Sequence, residues 1–179
     1  MQIDKTALPT KLLWVDLEMT GLVPATDRII EVAALVTDFD FNVIDSYEAV
    51  IYQPPEVLAR MNEWSRSVHM ASGLIDRVQA AANEQHVVSE FLPFVVRNFG
   101  NEPAVLAGNS IHQDRRFIRQ WWPQIEDRLH YRMLDVSSFK IIMQTKYGKE
   151  FAKQETHRAL DDIKESIAEL KHYLSSLNL

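Results

Sequence analysis

Asp16 and Glu18 stand two residues apart at the end of the apolar run Leu12-Leu13-Trp14-Val15. If that run is a strand, its period of two puts both carboxylates on one face and leaves Val15 and Leu17 on the other. Paired acids against a buried strand repel each other and cost stability unless a cation lies between them. A chain with 25 acidic residues produces an Asp-x-Glu on the order of once by chance, so the spacing gains weight only from its company. Asp114 follows Gly108-Asn109-Ser110-Ile111-His112-Gln113, where a loop or first helical turn can aim it at the end of a strand. Alone it reads equally well as an acid stabilised at a helix N-terminus. Asp162 falls at the margin of the apolar stripe of the last helix and can reach toward a sheet, whereas Asp161 points nearly opposite that stripe and reads as a solvated acid. His157 precedes Asp162 by five residues and can approach the same place from the loop before the helix. Four carboxylates of this kind suit Mg²⁺ or Mn²⁺, which prefer hard oxygen donors. An imidazole with an ordinary pKa of about 6.5 is then available as a proton acceptor near neutral pH.

Several elements must position these groups. Leu12 to Leu17 reads as a buried strand ending in the loop signals Thr20-Gly21 and Pro24. Arg28 to Thr37 and Val43 to Ile51 are two further strands, joined by Asp38-Phe39-Asp40-Phe41-Asn42, which makes an antiparallel meander. After Pro54-Pro55 the pattern turns helical, most clearly at Glu84 to Asn98, with Val88, Phe91, Val95 and Phe99 at helical spacing. Pro103 to Ala107 and Met133 to Val136 are short strands each followed by a helix, as parallel additions to a sheet are. Leu160, Ile163, Ile167, Leu170, Leu174 and Leu177 form the stripe of a closing helix. The expected class is α/β: one mixed sheet, an antiparallel meander plus parallel strands, flanked by helices. Residues 1–179 show no internal repeat or Gly/Ser linker, which predicts a single domain.

Composition narrows the partners. A net charge of −6 works against a long polyanion, since such binding depends on Lys and Arg neutralising many phosphates, so a nucleic-acid substrate should be short or bridged by metal. No cysteine is present, which excludes disulfides, thiolate nucleophiles and cysteine-ligated zinc. No apolar run is long enough to span a bilayer and no export signal is recognisable, so a soluble, cytoplasmic protein with no membrane partner is expected.

Asp16-Leu17-Glu18, Asp114 and His157-x-x-x-x-Asp162, in that order, resemble the DEDD exonuclease superfamily in its histidine-bearing branch. WVDLEMTGL, MNEWSRSVHMASGL, NSIHQDRRF, HYRMLDVSS and THRALDDIKESIAEL resemble blocks of the oligoribonuclease family and run from Trp14 to Leu170. The resemblance implies a ribonuclease H-like fold, a homodimer, two divalent metals as the only cofactor, and release of 5′ mononucleotides from the 3′ ends of very short RNAs. Such chemistry suits the residues. A phosphodiester is an anion, and two metals about 4 Å apart can stabilise both its entering and its leaving oxygen. Asp16, Glu18, Asp114 and Asp162 would be the ligands, with Asp16 between both ions, and His157 the base. The resemblance further implies that Leu22 wedges between bases and Trp64 packs near the 3′ base, although composition alone makes Trp64 a core residue. It also implies that His69, Ser110 and Ser137 cap the 5′ end, with Tyr131 and Arg132 reaching across from the partner subunit.

Other readings compete. A related exonuclease acting on structured RNA ends or DNA should carry a basic stripe or an accessory domain. A non-catalytic nucleotide-binding module on the same fold should have lost one of the metal acids, and all four are present. A zinc hydrolase built on His112, Asp114 and His157 lacks further ligands at familiar spacing. The Arg115-Arg116-Arg119 cluster reads as a solvated helix face.

Overall fold

Leu12–Met19 (β1) and Ile29–Thr37 (β2) carry the most apolar stretches of the chain, and they lie at the centre of a five-stranded sheet. The computed structural model describes residues 9–152 and 158–177. Val43–Val50 (β3) flanks β2, while Ala104–Gly108 (β4) and Leu129–Asp135 (β5) extend the other side, giving the order β3-β2-β1-β4-β5. The β1–β2 and β2–β3 pairs are antiparallel and the β1–β4 and β4–β5 pairs parallel, which is the mixed sheet expected from the sequence. Asp38 makes the β2–β3 hairpin: its carboxylate accepts the N–H groups of Asp40 and Asn42, both at 2.9 Å.

Several strand boundaries differ from the sequence reading, and β1 runs two residues further than expected, to Met19. The last strand begins at Leu129 rather than Met133, and Val136 opens the following helix. His130, Tyr131 and Arg132 do not alternate apolar with polar, so no period-two signal marks them; the ladder to β4 pairs Ala104↔Leu129 and then Leu106↔Met133, and its register shift falls on these three residues, between the paired ends of the strand. The fourth strand runs one residue further than expected, to Gly108, where a Cβ would lie 3.0 Å from the Val15 carbonyl oxygen. Glycine permits that close approach of β4 to β1.

Helices cover both faces. Pro55–Leu58 (α1), Glu63–Ala71 (α2) and Leu74–Gln79 (α3) group around Ile30, Leu58, Met61, Leu74 and Val78. Glu84–Phe99 (α4), His112–Trp121 (α5) and Pro123–Glu126 (α6) pack Phe91, Phe94, Phe117 and Trp122 against Leu13, Val15 and Leu17 of β1. Val136–Tyr147 (α7) and Ala159–Ser175 (α8) lie over the opposite face, where Ile163, Ile167 and Leu170 meet Leu12 and Trp14. Each such buried side chain contributes about 1.5–3 kcal/mol, and the consequence for β1 is a fixed assignment of faces. Leu13, Val15 and Leu17 belong to the α4 side, so Asp16 and Glu18 continue the row of Leu12 and Trp14 toward α8. Leu177 lies beyond the end of α8. Among the described residues no helix is long and apolar enough to cross a membrane.

Candidate active site

The carboxylates converge where β1 outruns its neighbour. The β1–β4 ladder ends at Trp14↔Ala107, so the Leu17 N–H has no strand partner on that side. Asp114, in the first turn of α5, takes it through Oδ1 at 2.9 Å. Its side chain is thereby fixed beside the backbone that joins Asp16 to Glu18. Asp162, in the first turn of α8, arrives from above the sheet, and Asp16, Glu18 and Asp162 each place an oxygen within 4.8 Å of one another. Asp161 turns away to Lys164, 3.0 Å distant, as the helical angle predicted.

Electrostatics of the site are those of crowded acids. Burial, and then the charges of Glu31, Asp162 and Asp114, push the Glu18 carboxyl up to about 8. Burial likewise raises Asp114 to about 7, against the lowering effect of the Leu17 N–H. Carboxylates whose ionisation is resisted by burial and by neighbouring negative charge are stabilised by a cation placed among them, and their oxygen donors fit a hard divalent ion. His157 lies outside the described residues.

A cavity of about 150 Å³ adjoins Glu18 and is lined by Leu17, Met19, Gly21, Leu22, Trp64 and His69, among others. Trp64 is 66% exposed and Leu22 60%, so the core reading of Trp64 from composition is overturned. The Leu22 loop is braced by Asp27, whose Oδ2 accepts the Val23 N–H at 2.8 Å. A Cβ at position 21 would come within 2.5 Å of that carboxylate, so a side chain there would displace the Asp27 brace. His69 is buried, with Nε2 2.9 Å from the Met19 carbonyl and Nδ1 3.9 Å from Glu18. Because a carbonyl only accepts, Nε2 carries the proton and Nδ1 faces the carboxylate.

Ser110 and Ser137 meet at the end of β4, with hydroxyl oxygens 3.2 Å apart. Ser110 has φ of 51°, a left-handed conformation rare outside glycine and costing on the order of 1–3 kcal/mol. Asp135 holds it there. One Asp135 oxygen accepts both the Ser110 and Ser137 N–H groups at 3.0 Å, capping α7 at the same time. Asn109 is tied in turn to Ser166 and to the buried Glu169 of α8. The sequence reading missed Asp135, whose signal was its position as cap before the α7 pattern, and Asn109, which carried none. Tyr131, 58% exposed, and Arg132 project from the edge strand β5, with the guanidinium 5.1 Å from the Tyr131 ring centre.

Arg115 is not part of a solvated face. It is 8% exposed and donates to Glu126 and, at 3.1 Å, to the Tyr131 carbonyl, binding α5 to α6 and β5. The zinc alternative does not assemble among the described residues: His112 is exposed and lies 3.5 Å from Asp135, while Asp114 is buried against Leu17.

Fold and acidic cluster together are those of a ribonuclease H-like nuclease, and the sequence model of the exonuclease family matches residues 13–170. Exonuclease I structures superpose with TM-scores of 0.71 and, for the Methylocaldum szegediense enzyme, 0.67, each at 17% identity over 95% of this chain. This chain spans 42% and 41% of their lengths, so the likeness establishes the fold. Among curated relatives, the oligoribonuclease of Shewanella sp. strain W3-18-1 is 46% identical over 178 residues, 96% of this chain and 98% of the relative. That of Francisella tularensis subsp. tularensis strain WY96-3418 is 47% identical over 171 residues, 93% of this chain and 95% of the relative. The chain belongs to the oligoribonuclease family of exonucleases and is a hydrolase of the nuclease class.

Proposed function

We propose that the protein is a 3′-to-5′ exoribonuclease that hydrolyses very short RNAs, dinucleotides above all, to 5′ mononucleotides. The observation that carries this reading is the convergence of Asp16, Glu18 and Asp162 within 4.8 Å beside the cavity of Leu22 and Trp64. Asp16, Glu18, Asp114 and Asp162 would hold two divalent ions, Mg²⁺ or Mn²⁺, with Asp16 shared between them. The ions supply, when bound, neutralisation of the entering and leaving oxygens of an in-line displacement. His157 accepts the proton of the attacking water, and a neutral imidazole is the form that can do so. Leu22 separates the two bases and the Trp64 indole supports the 3′ base, both being exposed apolar side chains at the cavity beside Glu18. The 5′ end is closed by His69, Ser110 and Ser137, helped by Tyr131 and Arg132 of the partner subunit.

A homodimer is part of this proposal. Tyr131 and Met133 on the edge strand β5, and Ile141, Ile142 and Tyr147 on α7, are exposed large side chains, and covering them with a second copy would bring an edge strand out of water.

The test uses 5′-labelled RNAs of about two to twenty nucleotides, with and without Mg²⁺ or Mn²⁺. Metal-dependent release of mononucleotides from the 3′ end, fastest for the dinucleotide, is expected. Preferential degradation of structured RNA or of DNA would favour the related-exonuclease reading, and binding without cleavage the nucleotide-binding module.

A further inference from the structure

Glu31 is the third residue of the apolar strand β2 and is 1% exposed. The antiparallel register sets it directly opposite Glu18. Ala33 and Leu35, which alternate with it, pack on the α8 side, so Glu31 shares the face that carries Asp16 and Glu18. Its Oε1 receives a 2.8 Å ion pair from Arg77 Nη2 on α3, while its Oε2 is buried and has no hydrogen-bond partner among the described residues. Arg77 Nε is likewise without a partner there. An ion pair serving only to anchor α3 would gain from the two-pronged geometry that guanidinium and carboxylate readily form. Here the contact is end-on and one carboxylate oxygen is spared, at a desolvation cost that the pair does not recover. The charge of Glu31 ranks directly after burial among the causes that raise Glu18, which attests to their proximity.

A hydrated Mg²⁺ or Mn²⁺ keeps several waters, and their protons need acceptors. We infer that Glu31 is an outer carboxylate of the cation site: its Oε2 accepts a hydrogen bond from the water shell of the cation held by Asp16, Glu18 and Asp162, while its Oε1 keeps the ion pair with Arg77. This rests on the cation reading given under the proposed function. Glu31 is thus a positioning residue. It steadies the hydrated ion beside Glu18 and joins that ion to α3.

Mn²⁺ binding to the metal-free protein, followed by calorimetry at about pH 8.5 without substrate, separates this role from anchoring. Glu31→Gln retains an acceptor for Arg77 but loses the charge, and its Mn²⁺ affinity should fall about 10–100-fold, the usual consequence of removing such an outer partner. Glu31→Asp should recover part of that loss. Arg77→Gln leaves the Glu31 charge unneutralised, so its Mn²⁺ affinity should stay level or rise. An anchoring role predicts instead that Glu31→Gln and Arg77→Gln lose affinity together, and that result, or a Glu31→Gln affinity within about threefold of the native protein, overturns the inference. Should Glu31→Gln fail to fold, Arg77→Gln decides alone, a fall in affinity being fatal. Failure of the native protein to bind Mn²⁺ would overturn the cation reading itself, and this inference with it.

Discussion

Replacing Glu18 by Gln should stabilise the metal-free protein at pH 8 and destabilise the metal-loaded protein relative to native. Glu18 titrates at about 8 in the folded chain against 4.5 as its reference value, so the folded state binds the proton more tightly than the unfolded one. With the folded pKa raised, stability is greatest in acid, declines as pH rises from 4.5, and bears the full cost above about 8. A shift of this size, at about 1.4 kcal/mol per unit and with Glu18 half-titrated at pH 8, sets an upper bound of about 4 kcal/mol. Local opening and entry of water reduce it to about 2 kcal/mol. For a chain of this length that is an increase in Tm of roughly 4–8 °C for Glu18→Gln at pH 8 in EDTA, shrinking to about 2 °C or less at pH 5. Saturating Mn²⁺ should reverse the order, because an ion present at a thousand times its Kd adds about 4 kcal/mol to a protein that binds it. The assay is thermal unfolding of both proteins from pH 5 to 8.5, with EDTA and with Mn²⁺. Equal or lower Tm of the variant at pH 8 in EDTA would refute the account of Glu18 as an acid strained by burial and by its neighbours.

Asp162→Asn should lower turnover by several orders of magnitude in a folded protein, while Asp161→Asn, whose carboxylate pairs with Lys164 at the surface, should stay within about threefold of native; exchange of these two outcomes in a mononucleotide-release assay would refute the placement of α8. His157→Ala should lose most of its rate yet keep its Mn²⁺ affinity by calorimetry, and the native rate should fall as pH drops below about 6.5. A flat profile from pH 5 to 8 with chemistry rate-limiting would count against a histidine base. Arg132→Ala and Asp16→Asn proteins, mixed under confirmed subunit exchange, should recover activity that neither has alone, since one site of the heterodimer pairs a working cation centre with an intact partner arm. No recovery would remove Arg132 from the partner's site. Arg115→Met should lower Tm by several degrees, as the loss of a buried, multiply bonded guanidinium leaves Glu126 and the Tyr131 carbonyl without it.

Local periodicity made much of this protein legible. Alternation in a strand assigned Asp16 and Glu18 to one face, and the angle of 100° per residue separated Asp162 from Asp161, because each depends only on neighbours along the chain. The meander, the two parallel additions and the closing helix were read for the same reason. Contacts between distant segments were decided only by the tertiary structure. Whether Asp114 was a helix-terminal acid or part of a site depended on β4 releasing β1 after Trp14, which leaves the Leu17 N–H for its carboxylate. Glu31 reached Glu18 through the antiparallel β1–β2 register, which sets residues 13 positions apart in the chain directly opposite each other. Arg115 and Trp64 exchanged their expected environments, since burial depends on what packs above a helix and no residue type carries that information. Ser110 took a left-handed backbone because Asp135, 25 residues on, accepts its N–H, a bond that closes only when β4 and β5 lie side by side.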